Sequence, residues 1–161
     1  MKKKQNGIIA IVDTREQTPL DLTKYGLSIE RQALAHGDYS LKYPDLRDQV
    51  AIERKSLEDF IQCCGWERKR FQREILALRG YRWRAIVCEF ALEDVLSHKY
   101  RSKIRVDSVI ASIARWMEAG IPFIMAGHHQ GASYIVAKLL KLIAADAVDL
   151  AKQQCFFLEM S

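Results

Sequence analysis

Proline is scarce in this sequence, with three in 161 residues, and glycine numbers only eight. That leaves no Pro/Gly-rich linker or low-complexity tract. No internal repeat divides the chain either, so one domain is expected over residues 1–161. No apolar run approaches the roughly 20 residues that cross a membrane. The basic start MKKKQNG leads only into Ile8–Val12, too short for a signal-peptide core, and then meets Asp13. A soluble intracellular protein is expected. The four cysteines, Cys63, Cys64, Cys88 and Cys155, form no C-x-x-C pair, and no histidine stands at zinc-ligand spacing from a cysteine pair. They read as reduced thiols, buried or half-buried. The adjacent His128 and His129 read as loop after a strand.

What is present is core and positive charge. Hydrophobic residues make up 49% of the chain, enough for a packed interior, and the net charge is +5. A basic surplus suits a polyanionic partner, nucleic acid first among them. Strands are expected at 7–12, 27–34, 39–43 and 50–53, the last two as a hairpin around the loop YPDLRDQ. Ser56 fits a helix N-cap, with Asp59 in the capping-box position three residues on. A second helix is expected at 66–78, with Phe71, Ile75 and Leu78 on one face. Beyond it come a strand at 84–90 and a short helix at 93–96. Asp107 then caps a helix at 108–119 that buries Val109, Ile113 and Met117. A strand at 121–126 precedes a long helix to about Asp149, apolar at Ile135, Leu139 and Ile143. Residues 150–161 carry no assignment. Strands first, then strands alternating with helices, predict an α/β domain with a central mixed sheet flanked by helices.

The chemistry lies where apolar runs stop. Asp13 ends IIAIV, Asp38 follows Gly37 just before a strand, and VAI runs into Glu53-Arg54-Lys55. Strand ends are where an open α/β sheet gathers side chains around a ligand. Carboxylates converging at low dielectric repel each other, and a hard divalent cation resolves the conflict. On a strand, Glu53 and Lys55 project to one face and Arg54 to the other. A metal-holding carboxylate beside an ammonium suits phosphodiester hydrolysis. Asp38, Glu53 and Asp13 are the candidate ligands for Mg²⁺, and Lys55 the residue that orients or activates water. Arg54 serves either a structural ion pair or DNA. Arg15 suits a bidentate phosphate contact, with Glu16 holding it. Asp59 is either a cap or part of the site. Two basic segments are candidate DNA surfaces: Arg68, Lys69, Arg70 and Arg73, and the loop containing Lys99, Arg101 and Lys103.

The three ordered motifs IVDTRE (residues 11–16), HGDYSL (36–41) and AIERKSLEDF (51–60) resemble the nuclease domain of the XPF family of structure-specific endonucleases. That family carries DxRE followed by GD…ERKxxxD, and the likeness covers about residues 8–142. It implies a restriction-endonuclease-like, PD-(D/E)xK fold and Mg²⁺- or Mn²⁺-dependent cleavage of branched DNA, with the backbone carbonyl of Arg54 as a further metal ligand. It also implies homo- or heterodimerisation through the nuclease domain. Relatives usually add a tandem helix-hairpin-helix module, for which these 161 residues leave no room. A nuclease of bacterial or phage origin acting in repair, recombination or DNA processing is the expected function. The alternative is a catalytically idle DNA-binding or partner subunit, and the intact Asp38, Glu53 and Lys55 argue against it.

Overall fold

Six strands form one mixed sheet in the order β2-β1-β3-β4-β5-β6. The computed structural model describes the backbone of residues 7–159 and the side chains of residues 7–153. The strands are β1 (Ile9–Asp13), β2 (Ser28–Gln32), β3 (Tyr39–Tyr43), β4 (Val50–Lys55), β5 (Trp83–Cys88) and β6 (Phe123–Met125). The helices are α1 (Leu57–Cys64), α2 (Arg68–Leu78), α3 (Leu92–Leu96), α4 (Val106–Glu118) and α5 (His129–Glu159). β3 runs antiparallel to β1 and β4, whereas β1–β2, β4–β5 and β5–β6 are parallel.

Strand alternation builds two cores. Ala10, Val12, Tyr39, Leu41, Val50 and Ile52 face α5, which answers with Ala132, Val136, Leu140 and Ile143. Ala51, Ile86 and Cys88 face the other way, onto α1, α2 and α4. The second core is aromatic at its centre. Trp116 is 2% exposed and meets Phe71 edge-on at 4.8 Å and Phe60 at 5.7 Å. Edge-to-face contacts of this kind add to the area each ring buries.

Most expected elements are present, and the differences have local causes. The helix expected from Asp107 begins at Val106, after Arg105, so Asp107 lies inside the first turn and gives no N-cap. Met117 is 52% exposed and Trp116 takes its core place, because the helix is rotated by one residue from the expected stripe. In α5 the inner line is Ala132, Val136 and Leu140, with Ile135 and Leu139 at its margin. The helix continues past Asp149 to Glu159, and residues 160–161 lie outside the described chain. β2 is an outer strand bound only to β1, and Ile29 on it is 36% exposed. Ser56 does cap α1, its Oγ accepting the Asp59 N–H at 3.2 Å.

Trp116→Ala is expected to lower unfolding free energy by about 3–5 kcal/mol, read from urea denaturation followed by circular dichroism. A loss below about 1 kcal/mol would mean that the aromatic cluster closes over the gap.

Candidate active site

The ends of β1, β3 and β4 meet at one point. Asp38 stands immediately before β3, and its backbone bridges both neighbours. Its N–H donates to Ile52 O at 2.8 Å, and its carbonyl accepts from Asp13 N–H at 2.8 Å. Gly37 makes this approach feasible. It has φ +76°, and a Cβ there would fall 3.2 Å from the backbone N and O of Ile52. Only glycine combines that dihedral with that clearance.

A cleft of about 250 Å³ opens above these ends, lined by Asp13, Arg15, His36, Asp38, Glu53, Lys55, Arg70 and Glu74. Glu53 and Lys55 share the cleft face of β4, as strand parity requires, with Lys55 Nζ 2.7 Å from Glu53 Oε1. Asp38 Oδ2 accepts the Arg54 N–H at 2.7 Å. Burial and the charge of Glu53 push the Asp38 carboxyl up to about 8, against the pull of that hydrogen bond. Burial opposes the charge on Lys55, but Glu53 and its other acidic neighbours, Glu74 among them, together raise the ammonium above its ordinary value. Cys63 packs beneath, its thiol pushed up to about 12 by burial, so it stays protonated.

Glu74 also enters the cleft and is not among the expected site residues. Its Oε2 is buried without a hydrogen-bond partner and lies 4.0 Å from Lys55 Nζ. Burial raises its carboxyl above the usual range. The spacing Arg70, Glu74, Leu78, one residue per turn of α2, is the sequence signal for this cleft-facing line.

Several expected roles change. Both oxygens of Asp13 are committed. Oδ1 accepts Arg15 N and Nε at 2.9 and 2.7 Å, and Oδ2 accepts Arg15 Nη2 at 3.2 Å and Leu34 N–H at 2.6 Å. Burial disfavours the Asp13 carboxylate, yet these bonds hold it below its usual range. Asp13 thus anchors Arg15 at the cleft edge. Glu16 does not hold Arg15. It holds Arg54, accepting Nε at 2.8 Å and Nη2 at 3.1 Å. Arg54 points to the opposite side of the sheet and reaches Glu89 at 3.2 Å, with a side chain 10% exposed. Its guanidinium is internal, which removes it as a DNA contact. Asp59 sits over α1 as part of its cap, accepting the Ser56 hydroxyl at 2.7 Å.

Among the basic candidates, Arg68 is also structural. It donates to Ser112 Oγ at 2.7 Å and packs over Trp116. Arg70 pairs with Glu67 and, at 2.9 Å, with Glu74. Lys99 pairs with Asp94 at 2.9 Å. Lys69, Arg73, Arg101 and Lys103 are exposed, and none of them forms an ion pair among the described residues.

No group of three or more His, Cys, Asp or Glu side chains converges into a metal cage among the described residues. The donor set on offer is the two carboxylates of Asp38 and Glu53. The Arg54 N–H lies on the Asp38 side of β4, and its carbonyl shares that edge. These are hard oxygen donors around a mutually repelling pair, and they fit Mg²⁺, which keeps several of its own waters.

Mixed sheet, flanking helices and a cleft at the strand ends define an α/β domain of the XPF nuclease fold, which is restriction-endonuclease-like. Residues 12–139 match the ERCC4 domain, and the chain belongs to that family. It is similar to XPF from Aeropyrum pernix, at 23% identity and a TM-score of 0.67, over 83% of this chain and 60% of that one. It is also similar to XPF from Aeropyrum pernix in complex with DNA, at 22% identity and a TM-score of 0.67, over 86% of this chain and 66% of that one. The chain thus spans about 60% of the length of the first of these structures. Comparison with curated protein sequences gives no match. No helix among the described residues is long and apolar enough to cross a membrane.

Two outcomes follow from the geometry. Arg54→Ala leaves Glu16 buried without its cation and is expected to cost about 3–5 kcal/mol of stability, read from urea denaturation. For Asp38, the folded carboxyl binds its proton more tightly than the unfolded one, whose ordinary value is 3.8. Its contribution to stability is therefore complete below about pH 4, fades as pH rises, and is gone above about pH 8. Asp38→Asn is expected to flatten that decline and to be more stable than wild type at pH 8 without divalent cation. Parallel stability curves for the two proteins between pH 5 and pH 8.5 would contradict the assignment.

Proposed function

We propose that this protein is a divalent-metal-dependent DNA endonuclease that hydrolyses phosphodiester bonds in branched or otherwise structured DNA. The observation that carries the reading is the half-buried Asp38–Glu53 pair beside the buried, charged Lys55, at the floor of a cleft built from strand ends. Family membership supports it, since XPF-type nuclease domains depend on divalent metal. The similarity to an XPF structure in complex with DNA supports nucleic acid as the ligand.

Asp38 and Glu53 would hold Mg²⁺ or Mn²⁺, with the Arg54 carbonyl as a further oxygen. A metal bound there supplies Lewis acidity toward the scissile phosphate and lowers the pKa of coordinated water. Lys55 stays cationic in its pocket, which suits it to orient the attacking water and to stabilise charge building on the phosphate oxygens. Glu53 on one side and Glu74 on the other fix where its ammonium points. Arg15, with a side chain 70% exposed, is held at the cleft mouth by Asp13. Its Nη1 is uncommitted among the described residues and is placed for a phosphate oxygen. Lys69, Arg73, Arg101 and Lys103 add phosphate contacts farther out, and Arg70 and Lys99 join them by exchanging carboxylate for phosphate. In the reaction, a water oxygen bonds to phosphorus and the P–O3′ bond breaks. The products carry a 5′-phosphate and a 3′-hydroxyl. A role in DNA repair, recombination or phage DNA processing follows from such a nick.

The test is cleavage of end-labelled flap, fork, single-stranded and plain duplex DNA with Mg²⁺, Mn²⁺ or EDTA. Wild type is expected to cut structured DNA only with metal. Asp38→Asn, Glu53→Gln and Lys55→Ala are each expected to lose at least about 10²-fold in rate while still binding DNA. Salt-sensitive DNA binding without cleavage under any metal would identify an idle subunit and overturn the catalytic reading.

A further inference from the structure

Trp66 is 79% exposed, the most exposed large hydrophobic side chain among the described residues. The other two tryptophans are accounted for. Trp116 lies in the core, and Trp83 is half-buried with Arg82 over its ring. Trp66 belongs to the connection between α1 and α2, because the helix expected from Trp66 begins only at Arg68, and its ring is not among the aromatic or cation–π contacts of the described residues. The connection itself is anchored. Gly65 N–H donates to Gln62 O at 3.0 Å, Glu67 N–H donates to the same carbonyl at 3.1 Å, and Arg68 N–H donates to Gly65 O at 3.1 Å. A Cβ at Gly65 would fall 2.7 Å from Ile104 Cδ1, so the connection packs against the 101–105 loop. A fixed backbone therefore presents a bare indole ring to solvent.

The surroundings favour one class of ligand. Lys69 and Arg73 follow on α2, Arg101 and Lys103 stand on the loop that Gly65 touches, and all four are exposed without carboxylate partners among the described residues. Arg70 and Glu74, one and two turns into the same helix, line the cleft. Trp66 stands four and eight residues before Arg70 and Glu74, the two α2 side chains that line the cleft. An aromatic platform set among cations beside a phosphodiester site suits a nucleobase that is not in a duplex, because a paired base offers no free face.

We propose that Trp66 is a stacking site for an unpaired base of single-stranded DNA, and that it directs the cleft toward junctions between single strand and duplex. The proposal rests on the nuclease reading for its ligand. It goes further in naming the residue that recognises the unpaired arm.

The test uses wild type, Trp66→Ala and Trp66→Phe with three labelled DNAs in EDTA: plain duplex, duplex with a single-stranded arm, and oligo(dT). Stacking on one aromatic is worth roughly a 5- to 150-fold change in affinity. Trp66→Ala is expected to weaken armed duplex and oligo(dT) within that range and to leave plain duplex within about twofold. Trp66→Phe recovers most of the loss. Wild-type tryptophan emission is quenched by oligo(dT), and that quench disappears in both variants. Circular dichroism shows all three proteins folded, as an exposed position allows. Equal affinity of Trp66→Ala and wild type for armed duplex would overturn the stacking site while leaving the nuclease reading intact. So would equal losses on all three DNAs. A change in self-association by sedimentation with no change in DNA binding would make Trp66 a protein interface and overturn the proposal. No DNA binding by wild type would instead overturn the function proposed above.

Discussion

One guanidinium ties the strand ends together. The Arg54 side chain grips Glu16 just beyond β1 and Glu89 just beyond β5, and its backbone N–H grips Asp38 just before β3. Four strands are thereby held at their cleft ends by contacts of a single residue of β4. Arg54 is charged in this setting despite burial, because Glu16 and Glu89 more than offset the loss of water. The cation works on one side of the sheet so that the neighbouring residues, Glu53 and Lys55, are delivered on the other. Strand parity makes the two tasks inseparable, since a slip of one residue would exchange them.

The cleft is arranged against its own stability. Asp38 and Glu53 are brought together in a place where only one charge is easily tolerated, and Glu74 adds an oxygen with no partner. Such a cluster is electrostatically unfinished, and a divalent cation or a phosphate with its counterions would complete it. Asp13 and Arg15 show the opposite design. Their carboxylate and guanidinium satisfy each other, so the arginine is rigid before any ligand arrives and loses little freedom when one does.

The order of strands and helices was readable because apolar runs ending in charge, Ser56, Gly37 and Gly120 punctuate the chain with ordinary local chemistry. So was the pairing of Glu53 with Lys55, which needs only the two-residue period of a strand. Partner choice was not. Glu16 stands next to Arg15 in sequence but bonds Arg54, 38 residues away, because the chain turns after Asp13 and folds the Glu16 carboxylate under the sheet. Arg68 looked like its exposed neighbours Lys69 and Arg73, and only the packing of α2 against α4 sends it inward to Ser112. Trp116 and Met117 are adjacent and both apolar, so about 100° of helix rotation decided which one the core took.

β2 closes one side of the sheet with a partner on its inner edge only. Such an open rim invites a strand from another molecule to add on. Here the rim is short and charged. Glu30 joins Lys42 of β3 across the sheet face, and Arg31 reaches back to the carbonyls of Thr14 and Glu16. Ordered charges along the border would have to be stripped of water and of their partners before a foreign strand could dock. The β2 border of the sheet is therefore a poor template for strand addition.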